Sequence, residues 1–365
     1  MSQPNSPITE LSQIDPDWLS STLTANGHLT QGRIESVTHE TVMKSKYSDI
    51  MRLRVSYSAT ATFEKEAALP TTLILKLRKP GGVKKRSTLF ARREFAFYSR
   101  IIRAMDSPPA ARCYDAVFEP LTGHYHFLLE DLSATHAHVG NPLPPSLPEC
   151  EQIVECAARF HAAWWDHPRI GTKIGRPFLD ERHSKRADTI KNRTDKFLAL
   201  LGDRISVPRR EVLLDLSAVY PRLLERQSAG HLTITHGDAH FQNFLIAPGR
   251  TDCRIIDWEA WEIAPATDDM AFMMAVLWFS ERRRRLEQDL LQRYHRALLA
   301  SDVRDYSWDA CWNDYRLSVV KHLCTPVYQW VNGALPAVWW NNLERILTSY
   351  EDLGCAEILD QLKGK

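Results

Sequence analysis

The feature that most constrains this chain is a short loop, His236-Gly237-Asp238-Ala239-His240-Phe241-Gln242-Asn243, followed by apolar residues and then Ile255-Ile256-Asp257-Trp258-Glu259. It sets an aspartate, an amide five positions on (238 to 243), and a second aspartate fourteen positions beyond that (243 to 257). Moving a phosphoryl group from ATP to a hydroxyl calls for three such groups. One carboxylate orients the hydroxyl and takes its proton, while an amide oxygen and a second carboxylate suit Mg²⁺. Two plainer readings stand beside this one. His236, Asp238 and His240 could form the metal loop of a hydrolase, since imidazole and carboxylate suit Zn²⁺ or Fe²⁺, although no further ligands follow at a recognisable spacing. An asparagine in a loop and an aspartate after a strand are also common turn residues. All three groups at this spacing, with apolar residues on each side of Asp257, favour phosphoryl transfer.

Composition removes several other classes. The 365 residues are 44% hydrophobic and 25% charged, enough to bury a core and too apolar for a disordered chain. Basic and acidic side chains number 46 and 45, a net charge of +1, which argues against a nucleic-acid binder. The seven cysteines are scattered, with no Cys-x-x-Cys pair, so neither a zinc site nor a disulfide framework is expected. The first residues show no basic region followed by an apolar run, and no stretch reaches the length of a membrane span. A reducing, cytoplasmic compartment is the expectation.

The order of elements agrees with a two-part molecule. Residues 1–14 are polar and Pro-bearing and read as frayed; Asp15-Pro16 then starts a helix. Two strands from Ile34 to Tyr57 flank the connection 41–48, which contains no glycine; there Lys44 and Ser45 are candidates to meet phosphates. Thr71–Arg78 alternates as a third strand and carries Lys76 among apolar residues. A buried ammonium needs a carboxylate partner, and Glu94 is the only acid on the following helix, Phe90–Ile102. Cys113–Phe118 and His124–Leu132 complete a five-stranded sheet. Pro142, Pro144, Pro145 and Pro148 mark a linker. The remainder is mainly helical. His161, on a helix with 3.6-residue apolar spacing, reads as a packed core residue. The expected division is a nucleotide-binding part over 1–132, a linker over 133–147, and a helical catalytic and substrate part over 148–365.

The loop resembles the His-x-Asp-x-x-x-x-Asn set of protein kinases, with Gly237 in place of its arginine and no glycine after Asp257. That variant is similar to the aminoglycoside phosphotransferase and choline kinase superfamily. Leu128-Leu-Glu-Asp-Leu132, Arg159-Phe-His-Ala-Ala-Trp-Trp165 and Asp268-Asp-Met-Ala271 bring it nearest to the choline and ecdysteroid kinase-like branch. The resemblance implies an α+β, two-lobed protein-kinase-like fold, with an N-terminal five-stranded antiparallel sheet and helix and a larger, mainly helical C-terminal lobe. It implies transfer of the γ-phosphoryl group of ATP to a hydroxyl of a small molecule. Asp238 would be the base, Asn243 and Asp257 the Mg²⁺ ligands, and Lys76 the phosphate contact oriented by Glu94. Backbone groups from Glu130 to Leu132 would read the adenine edge. Asp269 would accept hydrogen bonds from the loop backbone. Glu259 is open between a second metal contact and a solvated position. A catalytically silent nucleotide-binding module, suggested by the glycine-free connection, is the alternative within this fold. The tryptophans 258, 261, 330, 339 and 340 suggest a flat apolar or choline-like acceptor, and the absence of an acidic C-terminal segment disfavours polycationic sugars.

Overall fold

The structure, a computed structural model, describes residues 6–44, 48–64, 68–79, 85–139, 143–180, 183–250 and 252–364. Helix α1 (Pro16–Ala25) begins where the sequence places it. Asp15 accepts from the Trp18 amide at 2.7 Å, and Pro16, lacking a donor, sits in the first turn. The strands β1 (Ile34–Lys44), β2 (Ser48–Tyr57) and β3 (Thr72–Arg78) follow, then α2 (Lys85–Ala96), β4 (Cys113–Phe118) and β5 (Tyr125–Glu130). They form one antiparallel five-stranded sheet in the order β1-β2-β3-β5-β4.

The period-two alternation of β3 decides which groups go where. Leu73, Leu75 and Leu77 point into a core with Met51, Leu53 and Val55 from β2 and with Trp18, Leu19 and Leu23 from α1. Lys76 therefore points to the other face of the sheet. Residues 6–14 are not frayed. Ile8 and Ile14 are buried in the same core, and the Ile8 amide donates to Nδ1 of buried His126 at 3.1 Å. Two well-spaced isoleucines in a polar stretch carry no periodicity, so the packing had no local signal.

The chain divides into two compact units. One comprises residues 1–137 and 245–260, the other 138–244 and 261–365. The segment bearing Asp257 thus packs with the sheet, although it follows the loop of Asp238 in sequence. In the second unit, α3 (Leu147–Ala163) opens on a capping box in which Ser146 and Glu149 bind each other's backbone amides. Then come α4 (His183–Leu201), α5 (Val207–Ser228), β6 (Thr233–Thr235), β7 (Glu262–Ala264) and α6 (Thr267–Ala271). The helices α7 (Ser280–Ala300), α8 (Trp308–His322), α9 (Thr325–Val331), α10 (Pro336–Asp352) and α11 (Ala356–Lys363) complete it. Helix α6 continues into a π-helical turn at Phe272–Val276. Strands β6 and β7 pair antiparallel, Thr235 opposite Glu262, and hold the loop that starts at His236. No helix among the described residues is long and apolar enough to cross a membrane.

Candidate active site

In the first unit, Lys76 sits in the middle of central strand β3, opposite Ile50 on one side and Phe127 on the other. Its Nζ donates to both oxygens of Glu94, at 2.9 and 2.8 Å, and to Oδ1 of Asp257 at 2.8 Å; Glu259 lies 3.8 Å away. Lys76 and Glu94 are buried, whereas the Asp257 side chain is 44% exposed and that of Glu259 27%. One ammonium is therefore shared among three carboxylates whose oxygens lie within 4.8 Å of one another. Burial alone would pull the Lys76 ammonium down, but Glu94, then Asp257 and Glu259, outweigh it and hold its pKa well above the ordinary value. Burial pushes the Glu94 carboxyl up to about 7 against the pull of Lys76, with Asp257 and Glu259 adding to the rise.

Asp257 adopts φ 64°, a left-handed conformation that Asp tolerates better than most residues. Strain of this kind persists where the surroundings over-determine it, and it concentrates at functional sites. Trp258, next to it, is fully buried. Its ring stacks on Phe97 with centroids 4.0 Å apart, and its indole N–H donates to the Ile255 carbonyl, so it anchors the Asp257 turn to the core.

In the second unit, the loop after β6 is held from below by Asp269. Its Oδ2 accepts from the His236 amide (2.6 Å) and from Nε2 of His161 (3.1 Å), and its Oδ1 accepts from the Gly237 amide (2.9 Å). Burial pushes this carboxyl up, but the His161 hydrogen bond and the nearby imidazoles more than offset it, so Asp269 stays below the usual carboxylate range. With Nε2 donating, Nδ1 of His161 accepts from the Tyr294 hydroxyl at 2.7 Å. Gly237 turns at φ 76°, a conformation a side chain would strain, which accounts for glycine at this place in the loop. His236 is buried, and its Nδ1 receives the Asp238 amide at 3.3 Å. The Asp238 side chain is 45% exposed, and Nε2 of His240 lies 3.7 Å from its Oδ2. Asn243 is buried, with its Nδ2 donating to the Asp238 carbonyl at 2.9 Å. That bond fixes the orientation of the amide.

Lys44 is exposed at the end of β1, while Ser45 lies outside the described residues. The Glu130 amide donates to the Arg112 carbonyl at 2.8 Å. The Leu132 carbonyl accepts from Thr135 and His136, and its own amide has no intramolecular partner among the described residues. The Leu132 side chain packs with Ala111, Leu245 and Ile256 in a small apolar cluster. Sequence reading missed this cluster because its members come from three segments distant in the chain, each apolar for ordinary reasons. Glu94, Asp257 and Glu259 are the one group of three metal-ligand side chains within reach of a single ion among the described residues; His236 and His240 belong to no such group.

The model of the ecdysteroid kinase-like family matches residues 45–304, well over half of the chain. A comparison with curated proteins finds no match. Among solved structures, a protein described as an aminoglycoside phosphotransferase from Ralstonia eutropha JMP134 aligns at 16% identity and TM-score 0.54, covering 94% of this chain and 98% of that one. The streptomycin–ATP ternary complex of APH(2")-IIa aligns at 10% identity and TM-score 0.50, over 88% of this chain and 93% of that one. Choline kinase LicA from Streptococcus pneumoniae aligns at 12% identity and TM-score 0.49, over 92% and 98%. The first two alignments speak for a shared protein-kinase-like fold, and the family match goes further: the chain belongs to the ecdysteroid kinase-like family and is a small-molecule kinase.

Proposed function

We propose that the protein transfers the γ-phosphoryl group of ATP to a hydroxyl of a small molecule, with Asp238 as the base. The observation that carries this reading is the Lys76 ammonium held between buried Glu94 and half-exposed Asp257. A cation that rigid, with carboxylates left partly open beside it, suits a polyphosphate and its metal rather than a structural ion pair. Lys76 then contacts the α- and β-phosphates, and Glu94 fixes its position. The apolar patch of Ala111, Leu132, Leu245 and Ile256 suits the face of a flat base, and the Leu132 amide is a donor for its edge. Glu130 lies at the start of the same segment, and Lys44 and Ser45 fall at the expected phosphate-covering connection.

Asp257 and Glu259 bring carboxylate oxygens close together, and Asn243 offers an amide Oδ1; all are hard oxygen ligands of the kind Mg²⁺ takes. Asp257 and Asn243 would hold the ion, with Glu259 as a further oxygen, and it would supply neutralisation of the charge on the phosphates. Asp238 accepts the acceptor's hydroxyl proton as the new O–P bond forms, the bond from Pγ to the bridging oxygen breaks, and ADP leaves with that oxygen. The His236 and Gly237 amides of the same loop are held by Asp269.

Direct binding of ATP with and without Mg²⁺, followed by ADP release over panels of apolar alcohols, choline-like alcohols and aminoglycosides, tests the reading. Mg²⁺-dependent binding with turnover on one of the first two panels is expected. Absence of turnover on every hydroxyl despite nucleotide binding would favour the catalytically silent module.

A further inference from the structure

The segment that leaves the sheet after β5 is held by an arginine from two strands away. Arg52 of β2 stands opposite Ile74 of β3, just as Ile50, two residues earlier, stands opposite Lys76. Period-two alternation therefore puts Arg52 and Lys76 on one face of the sheet, the face turned away from the α1 core. From there the guanidinium spans β3. Its Nε donates to Oδ2 of Asp131 at 2.7 Å, and its Nη2 donates to the Ser133 hydroxyl at 3.0 Å. Oδ1 of Asp131 accepts the Ser133 amide at 3.0 Å, and the Asp131 side chain is only 3% exposed. The residue before is pinned as well. The Glu130 amide donates to the Arg112 carbonyl at 2.8 Å, and Oε2 of Glu130 accepts the Arg112 amide at 3.2 Å.

Leu132 lies inside this bracket. Its neighbours on both sides are tied to one rigid, planar guanidinium. Its carbonyl accepts the Thr135 and His136 amides, and its side chain packs with Ala111, Leu245 and Ile256. The amide alone is left over, and its direction is set by everything around it. An ordinary surface pair on the same strand looks different: Arg54, next along this face of β2, bonds Glu40 and has a side chain 61% exposed. We propose that Arg52 is a positioning residue for the nucleotide base: by bracketing Asp131 and Ser133 it fixes the direction of the Leu132 N–H, and so sets a preference for adenine over a 6-oxopurine. The proposal rests on the nucleotide-binding reading given above. An N–H aimed at the base edge meets a lone pair on N1 of adenine, whereas N1 of hypoxanthine carries a proton and would set donor against donor. Arg52 acts on this choice through the backbone of 131–133.

The test is calorimetric titration of the full chain with ATP and with ITP, both with Mg²⁺, for the wild type, Arg52→Met, Asp131→Asn and Arg54→Met. The wild type should bind ATP more tightly than ITP. Arg52→Met should weaken ATP by about tenfold, as expected for one hydrogen bond, and ITP by less than about twofold, so the discrimination collapses. Asp131→Asn keeps an oxygen for the Ser133 amide and loses the charged bond to Arg52; it should do the same. Arg54→Met should leave both affinities unchanged. Should Arg52→Met fail to fold, Asp131→Asn decides alone. An equal loss of ATP and ITP would show general damage to the sheet, and an unchanged ATP-to-ITP ratio would show that the bracket does not act on the base; either overturns the proposal. A wild type that binds ATP and ITP alike overturns it while leaving the phosphate contact of Lys76 standing. A wild type that binds neither removes the nucleotide reading itself, and this proposal with it.

Discussion

Removing the Lys76 charge tests the central geometry most directly, because the structure predicts unequal costs for the two sides of the pair. Lys76→Met leaves Glu94, buried at 2% exposure, without the one cation it meets among the described residues. Breaking a buried pair from one side typically costs about 3–5 kcal/mol. Part of this is relieved if Glu94 takes up a proton, which its raised pKa of about 7 makes easy near neutrality. Glu94→Gln is milder, since Lys76 still has Asp257 at 2.8 Å and Glu259 at 3.8 Å, and a loss of about 1–3 kcal/mol is expected. Because the two side chains are in direct contact, the double variant should fall short of the sum of the singles by about 1–3 kcal/mol. The assay is urea unfolding of the four proteins, read as midpoint shifts at matched slope, with the apparent KM for ATP measured in parallel. Both singles should raise KM, Lys76→Met more than Glu94→Gln, and the double should be no worse than Lys76→Met. Additive losses in both measurements would mean that the side chains do not act as a pair, and the reasoning would fail.

Asp238→Asn should keep nucleotide affinity and lose about 10²–10⁴ in turnover, the usual contribution of a positioned base; near-normal phosphorylation of an identified acceptor would remove the assignment. Asp257→Ala should abolish Mg²⁺-dependent nucleotide binding while the far-UV circular dichroism is unchanged. Stoichiometric zinc in the purified protein, lost on mutating His236 or His240, would instead revive the hydrolase reading. Asp269 gives a pH prediction. Its folded pKa lies below the unfolded value, so its stabilisation is present above the ordinary carboxylate range and is lost as pH falls through the folded pKa. Asp269→Asn should therefore lower Tm at pH 7 and flatten the acid limb of the Tm–pH curve; an unchanged acid limb would count against its role as the loop anchor.

The residues that announced themselves in the sequence did so through local regularity. Lys76 stood out because β3 alternates and a lysine interrupted its apolar surroundings, and Glu94 because its helix offered no other acid. The loop from His236 to Asn243 was legible because its residues lie close together in the chain. What tertiary structure decided is long-range. Asp257 meets Lys76 across 181 residues, and Glu259, whose role the sequence left open, joins it only because the 245–260 segment packs with the sheet unit. His161 read as an ordinary core residue and is buried as one. Yet its partner, 108 residues away, makes it a support of the Asp269 anchor. Trp258, counted among possible acceptor contacts, turned out to be a core ring beneath Asp257. Periodicity tells a side chain which face it lies on, but the partner it meets there depends on which distant segment closes over that face. That choice is made by burial of the whole core and leaves no trace in any local window of sequence.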